Sequence, residues 1–158
     1  MRIGYGYDSH RFEPEGGEKP LVLGGVVVPG CAGLKAHSDG DVVIHAIIDA
    51  LLGAAALGDI GSHFPDTAER YRKADSAALL TAVVSEIKAA GYTLGNLDVT
   101  IICERPKIAP IREAIRERLA RLLALPVTAI SVKGKTNEGL DSVGSGLAIL
   151  CHAVCLIV

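Results

Sequence analysis

"LKAHSDGDVVIHAIIDALLGAAALGDIG", Leu34 to Gly61, decides the fold of this chain. Its middle is apolar on nearly every side, the pattern of a helix that disappears into a core. Asp41 stands where an N-cap belongs, so a helix is expected from there to about Leu57. Three polar residues interrupt it. Asp41, His45 and Asp49 recur at i, i+4 and i+8, one stripe on one face. An uncharged imidazole in a core needs partners for both ring nitrogens, or it costs stability. Two readings follow. His45 is a core histidine satisfied by the neighbouring aspartates, or one nitrogen binds a metal while Asp41 or Asp49 orients the other.

Working outward, Met1 to Asp8 reads as a strand, and "PLVLGGVVVPG" as a second strand broken by a glycine pair. Pro29 to Gly40 is loop. "GDIGSHFPDTAERYRKA" is a long irregular segment, and such loops in compact domains tend to be functional. "DSAALLTAVVSEIKAAGY" is an amphipathic helix capped by Asp75 or Ser76 and stopped by Gly91. "LDVTIICE" reads as a buried strand, "PKIAPIREAIRERLARLLAL" as a helix and "AISVKGKT" as a strand. The loop "NEGLDSVGSG" leads into a last strand, "LAILCHAVCLIV". The order β-β-α-α-β-α-β-β predicts an α+β fold, one mainly four-stranded sheet with helices on one face, in a single domain over residues 1–158. A sheet covered on one side should alternate. The last strand does not, so its second face is either buried within the chain or covered by further copies of it.

At 158 residues the chain is long enough for one substantial core, with 49% hydrophobic and 22% charged residues. A net charge of −2 leaves no footprint for nucleic acid or an anionic membrane, so any phosphate binding is local. Cys31, Cys103, Cys151 and Cys155 lack paired CxxC spacing and read as buried, reduced thiols rather than a disulfide or metal set. No signal-peptide core or bilayer-spanning run is present, which points to a cytoplasmic protein.

Three further clusters carry chemistry. In "YDSHRF", Asp8 and His10 share one face of a strand, because the side-chain period is two. With His45 they make three candidate ligands and an open fourth position, the arrangement of a catalytic zinc. In "VKGKTNEGL", Lys133 and Lys135 alternate toward one face, followed by Thr136, Glu138 and glycines. That set suits phosphate groups, with Glu138 for a hard cation such as Mg²⁺, or it is a solvated strand end. "CERPKIAP" puts Lys107 at an expected helix start, where free N–H groups bind anions. In "GDIGSHFPDT", Asp59 and Asp66 could take polyol hydroxyls. His63 and His152 read as structural or surface residues.

Taken in order, "MRIGYGYDSHRF", "LGGVVVP", "AHSDGDVVIHAIIDALLGAAALGDIG", "FPDT", "GYTLGNLDVTII", "PKIAP" and "KTNEGL" resemble the 2-C-methyl-D-erythritol 2,4-cyclodiphosphate synthase family of the non-mevalonate isoprenoid pathway, nearly end to end. The resemblance implies a lyase that cyclises 4-diphosphocytidyl-2-C-methyl-D-erythritol 2-phosphate with release of CMP. It implies zinc on Asp8, His10 and His45, and Mg²⁺ or Mn²⁺ held by Glu138 and the substrate diphosphate. His37 and Thr136 match transition-state stabilising positions, and Ser9 and Ser38 lie beside the substrate. Asp59, Ile60 and Gly61 match the segment at the sugar and erythritol, and Phe64, Pro65, Asp66 and Thr67 a loop closing on the methylerythritol. Cys103, Glu104, Arg105, Pro106, Lys107, Ile108 and Ala109 match a cytidine-diphosphate pocket from a neighbouring subunit, with Lys135 and Asn137 also near the substrate. The family's homotrimer packs its sheets around an axis, with active sites between subunits. Ser142, Ser145 and Leu147 depart from the family's usual aromatic, Arg and Glu at those places, and Ala68 from an Asp.

Overall fold

The computed structural model describes residues 1–14, 17, 19–71 and 74–158. In chain order the elements are β1 (Arg2–Arg11), β2 (Pro20–Leu23), β3 (Val26–Ala32), α1 (Val42–Ala55), α2 (Ile60–His63), α3 (Ser76–Ala89), β4 (Leu94–Ile102), α4 (Arg112–Leu123), β5 (Ile130–Lys135), α5 (Asp141–Gly144) and β6 (Ala148–Ile157). Short 3₁₀ turns at Glu69–Tyr71 and Val127–Ala129 complete it. The main sheet is four-stranded, β1-β6-β4-β5. β6 runs antiparallel to both neighbours, and β4 and β5 are parallel. The carboxyl ends of β1, β4 and β5 therefore lie at the same end of the sheet. This is the α+β architecture expected from the sequence.

The second expected strand is instead a hairpin, β2 and β3, that forms its own two-stranded sheet. Gly24 and Gly25, at φ 61° and 74°, make the tight turn, whose two positive φ values only glycine adopts cheaply. Asp41 then serves two elements at once. As N-cap of α1 it accepts from Val43 N and Ile44 N, both at 3.1 Å, and it also accepts from Gly24 N and Gly25 N at 2.9 and 2.6 Å. Helix α1 ends at Ala55, with Ala56 left-handed at φ 59°. Its buried residues meet both β1 and β6, and α3 packs beside it. Helix α4 starts at Arg112, not near Pro106. Pro106 and Pro110 disfavour helical backbone in the residues before them, and Ile108 to Ile111 closes a turn instead.

The two sheet faces differ. Cys155, Ala153, Cys151 and Ile149 of β6 are buried under the helices, while Val154, Tyr5 and Ile3 on the other face are exposed, and Tyr7 is 46% exposed. Burial of that second face within the chain is thereby excluded for these residues. Tyr5 and His152 hydrogen-bond across it at 2.9 Å. Cys103, Cys151 and Cys155 are buried, Cys31 is half-buried, and all four are free thiols, as read from their spacing. No helix of the described residues is long and apolar enough to cross a membrane.

Candidate functional site

Alternation along β1 sends Gly4, Gly6, Asp8 and His10 toward the helices and Tyr5, Tyr7 and Ser9 to the open face. Gly4 and Gly6 are there because α1 passes too close for a side chain. A β-carbon at Gly6 would stand 2.7 Å from Ala50 N, and one at Gly4 2.8 Å from Ala54 Cβ. That approach carries His45 of α1 over the end of β1. His45 Nδ1 is 2.9 Å from Asp8 Oδ2, and His10 Nε2 is 3.6 Å from the same oxygen. One ligand atom from each of the three residues lies within 4.8 Å of the others.

These residues fit a metal. His10 Nδ1 lies 2.7 Å from Ser9 O and must donate to it, which leaves Nε2 with a bare lone pair. That Nε2 is buried and has no hydrogen-bond partner among the described residues. His45 Nε2 meets Ser76 Oγ at 2.9 Å and Ser38 Oγ at 3.3 Å, while its Nδ1 faces a carboxylate. Two imidazole nitrogens and a carboxylate oxygen converging on one spot are a donor set for zinc. Burial pushes His45 toward neutrality, but the Asp8 hydrogen bond and the charges of Asp8, Asp41 and Asp39 outweigh it, so its pKa is raised above the ordinary value. The site attracts positive charge, whether proton or metal.

The aspartates of the stripe do other work than expected. Neither orients His45. Asp41 holds the backbone groups named above, and burial pushes its carboxyl up to about 6 despite those bonds. Asp49 accepts Ile60 N–H at 2.7 Å, tying the loop after α1 to the site, and burial raises its pKa too. The partner of His45 is Ser76, backed by Asp39, which sequence reasoning missed: they are 31 and 6 residues away in the chain.

The three ligands open into a cavity of about 440 Å³ that His37, Ser38, Asp49, Ile60, Gly61, Phe64, Pro65 and Asp66 also line, together with Ala36, Tyr71 and Leu79. Phe64 and Tyr71 meet edge to face, with ring centroids 5.3 Å apart. Asp59 is not among the lining residues; it caps α2 by accepting from Ser62 N and Oγ. Thr67 does not line the cavity either, and Ser9 projects to the opposite face of the sheet. A larger cavity, about 900 Å³, runs past Arg105 and Pro106, but the described residues that line it hold no metal-ligand set. Chemistry, not size, singles out the smaller one.

The remaining predicted residues form a second cluster at the ends of β4 and β5. Cys103 N donates to Lys135 O at 3.0 Å, Asn137 N to Glu104 Oε1 at 3.0 Å, and Thr136 Oγ1 to Glu138 Oε1 at 2.6 Å. Ile108 is buried against Gly134, whereas Lys107 and Ala109 are exposed. Lys107 lies five residues before α4, so it is not part of that helix's first turn. The sheet order puts β1 and β5 on opposite edges, three strand spacings or roughly 14 Å apart. Within one chain no hydrogen bond among the described residues joins the two clusters, although Arg105 and Pro106 share the larger cavity with Arg11 and Phe12. Among the departures, Ser142, Ser145 and Leu147 are all exposed. His63 is structural, bonded to Leu57 O at 2.8 Å and paired with Glu86.

Fold and site together define an α+β protein with three candidate metal ligands, Asp8 and His10 half-buried and His45 buried, at the mouth of a pocket. The YgbB family model matches residues 1–158, and the chain belongs to that family. A 2-C-methyl-D-erythritol 2,4-cyclodiphosphate synthase from Trichlorobacter lovleyi is 52% identical over 158 residues, covering 100% of this chain and 99% of the relative. The IspF–CDP complex of Plasmodium falciparum superposes with a TM-score of 0.87 at 39% identity, covering 99% of this chain and 95% of that one. The bifunctional IspDF of Campylobacter jejuni gives 0.93 at 36% identity and 99% coverage, and this chain spans 42% of its length.

Proposed function

We propose that the chain, as one domain over residues 1–158, converts 4-diphosphocytidyl-2-C-methyl-D-erythritol 2-phosphate to 2-C-methyl-D-erythritol 2,4-cyclodiphosphate and CMP. The observation that carries this is the bare, buried Nε2 of His10 converging with Asp8 and His45 on a pocket, in a chain about half identical to synthases of that name over its whole length. An oxygen of the substrate's 2-phosphate forms a bond to the β-phosphorus of its diphosphate, and the bond from that phosphorus to the oxygen of CMP breaks. No protein nucleophile is required, so the chain's work is positioning and charge neutralisation.

Asp8, His10 and His45 would hold zinc, which as a Lewis acid orients and polarises a phosphate oxygen. Glu138 would share Mg²⁺ or Mn²⁺ with the substrate diphosphate. His37 and Ser38 border the phosphate end of the pocket, and Ile60, Gly61 and the Phe64–Asp66 loop enclose the methylerythritol. Cys103 to Ala109 with Lys135, Thr136 and Asn137 receive the cytidine diphosphate. Thr136, whose Oγ1 now donates to Glu138, would donate to the phosphates instead.

Both halves are needed, and one chain separates them. A homotrimer with the open sheet faces inward brings the β5 edge of one copy beside the β1 edge of the next. The exposed Ile3, Tyr5, Tyr7 and Val154 supply the apolar surface for that contact. We place the enzyme in the cytoplasm.

The test is phosphorus NMR of purified protein with the substrate, Mg²⁺ and zinc, beside His45→Ala. Cyclic diphosphate with CMP, absent in the variant, is the expected result. A linear phosphate product would make the protein a hydrolase and overturn the reading.

A further inference from the structure

The ligand nearest the core, His45, has two nitrogens and only one can face the metal. Its other nitrogen, Nε2, ends in a chain of hydrogen bonds that no part of the catalytic pocket needs. Ser76, fully buried as the first residue of α3, places Oγ 2.9 Å from Nε2. The single hydroxyl proton of Ser76 goes to Asp39 Oδ1, in a very short contact. Asp39 is an acceptor on every side shown: Oδ2 takes Ser76 N at 3.0 Å and Oδ1 takes Asp41 N at 3.2 Å. With its proton committed, Ser76 Oγ can only accept from the ring. Ser38 Oγ is farther away, at 3.3 Å, and already takes Gly40 N–H.

Resting on the metal-site reading above, we infer that Ser76 and Asp39 are positioning residues: they hold the His45 proton on Nε2 and thereby present Nδ1 to a metal beside Asp8 and His10. The direction of every bond in the chain runs the same way, imidazole to hydroxyl to carboxylate. It also joins three separate segments, α1, the loop before it and the start of α3, so docking of α3 sets the ring. Neither residue lines the pocket, so their side chains reach it through His45.

Asp39→Asn is the sharpest perturbation. Its shape is unchanged, but its NH2 must face either Ser76 Oγ, which reverses that bond, or Ser76 N–H, which sets donor against donor and pushes α3 away from the acceptor. Ser76→Ala removes the acceptor outright. Zinc affinity is measured by competition with a chromophoric chelator on the full-length protein, wild type alongside. A ten- to hundredfold weaker affinity is expected for both variants, the usual effect of losing a partner to a metal-bound histidine. In zinc-loaded wild type, nitrogen-15 NMR should show the His45 proton on Nε2 in slow exchange with water, and in Ser76→Ala that signal should broaden or vanish. A general loss of stability would not move it selectively. If Ser76→Ala fails to fold, Asp39→Asn decides alone. Wild-type zinc affinity in Asp39→Asn overturns the inference. Failure of the wild type itself to bind zinc overturns the metal-site reading beneath it.

Discussion

Gly6→Ala tests the link between core packing and the metal ligands. The added β-carbon would lie 2.7 Å from Ala50 N and 3.0 Å from the Ala46 carbonyl carbon, and closer still to the Ala46 carbonyl oxygen. These are backbone atoms of α1, so no side-chain rotation relieves the clash. Restoring ordinary separations of roughly 3.5 Å, the Ala46 oxygen included, requires β1 and α1 to part by about 1.5 Å. Asp8 is two residues along β1, on the same face, and His45 is on α1. The ligands would separate by a similar amount, several times the ~0.2 Å tolerance of a metal–ligand distance. Overpacking should destabilise by about 2–3 kcal/mol, or about 4–12 °C in melting temperature at this chain length. Zinc affinity should fall at least about tenfold, as for other displaced ligands. Gly95→Ala is the control: its β-carbon would sit 3.4 Å from Leu156 O, an ordinary contact. Calorimetry and a chelator competition read both effects. If Gly6→Ala melts with the control and binds zinc as wild type does, the packing argument is wrong.

Two further outcomes are expected. Tyr7→Asp puts a charge on the open sheet face, opposite to the metal site, and should yield monomers by light scattering that still bind zinc but no longer turn over substrate. Turnover by a monomer would refute the shared active site. Burial pushes the Cys103 and Cys155 thiols up to about 11, so these two should resist alkylation at pH 8 in the folded protein. Only the thiolate reacts, so their labelling rate should rise about tenfold per pH unit until it levels near pH 11. Rapid labelling at neutral pH, followed by mass spectrometry, would contradict their burial.

Several features were legible from the sequence because they are local. The strand period put Asp8 and His10 on one face, and the N-cap preference placed Asp41 at the start of α1. Hydrophobic patterning located α1, α3 and the strands of the main sheet to within a few residues. Other features failed for equally physical reasons. The glycine pair in "LVLGGVVV" is a turn, because two positive φ values in a row reverse a chain rather than interrupt a strand. Two prolines held the start of α4 back to Arg112. The alternating glycines of "IGYGYD" carried a packing signal, close helix approach, that is clear only once α1 is seen lying on them.

The sequence by itself determined the candidate ligand types, the strand that pairs two of them and the helix that supplies the third, since each depends on residues within one turn or one strand. Only the tertiary structure decided what His45 bonds to. Asp41 and Asp49 sit on its own helix face, yet backbone groups of the hairpin turn and of Ile60 claim them. Ser76 comes from another helix, and periodicity says nothing about which distant element will arrive. The placing of β1 and β5 on opposite edges was likewise decided by strand order, because β6, the last strand made, inserts between β1 and β4.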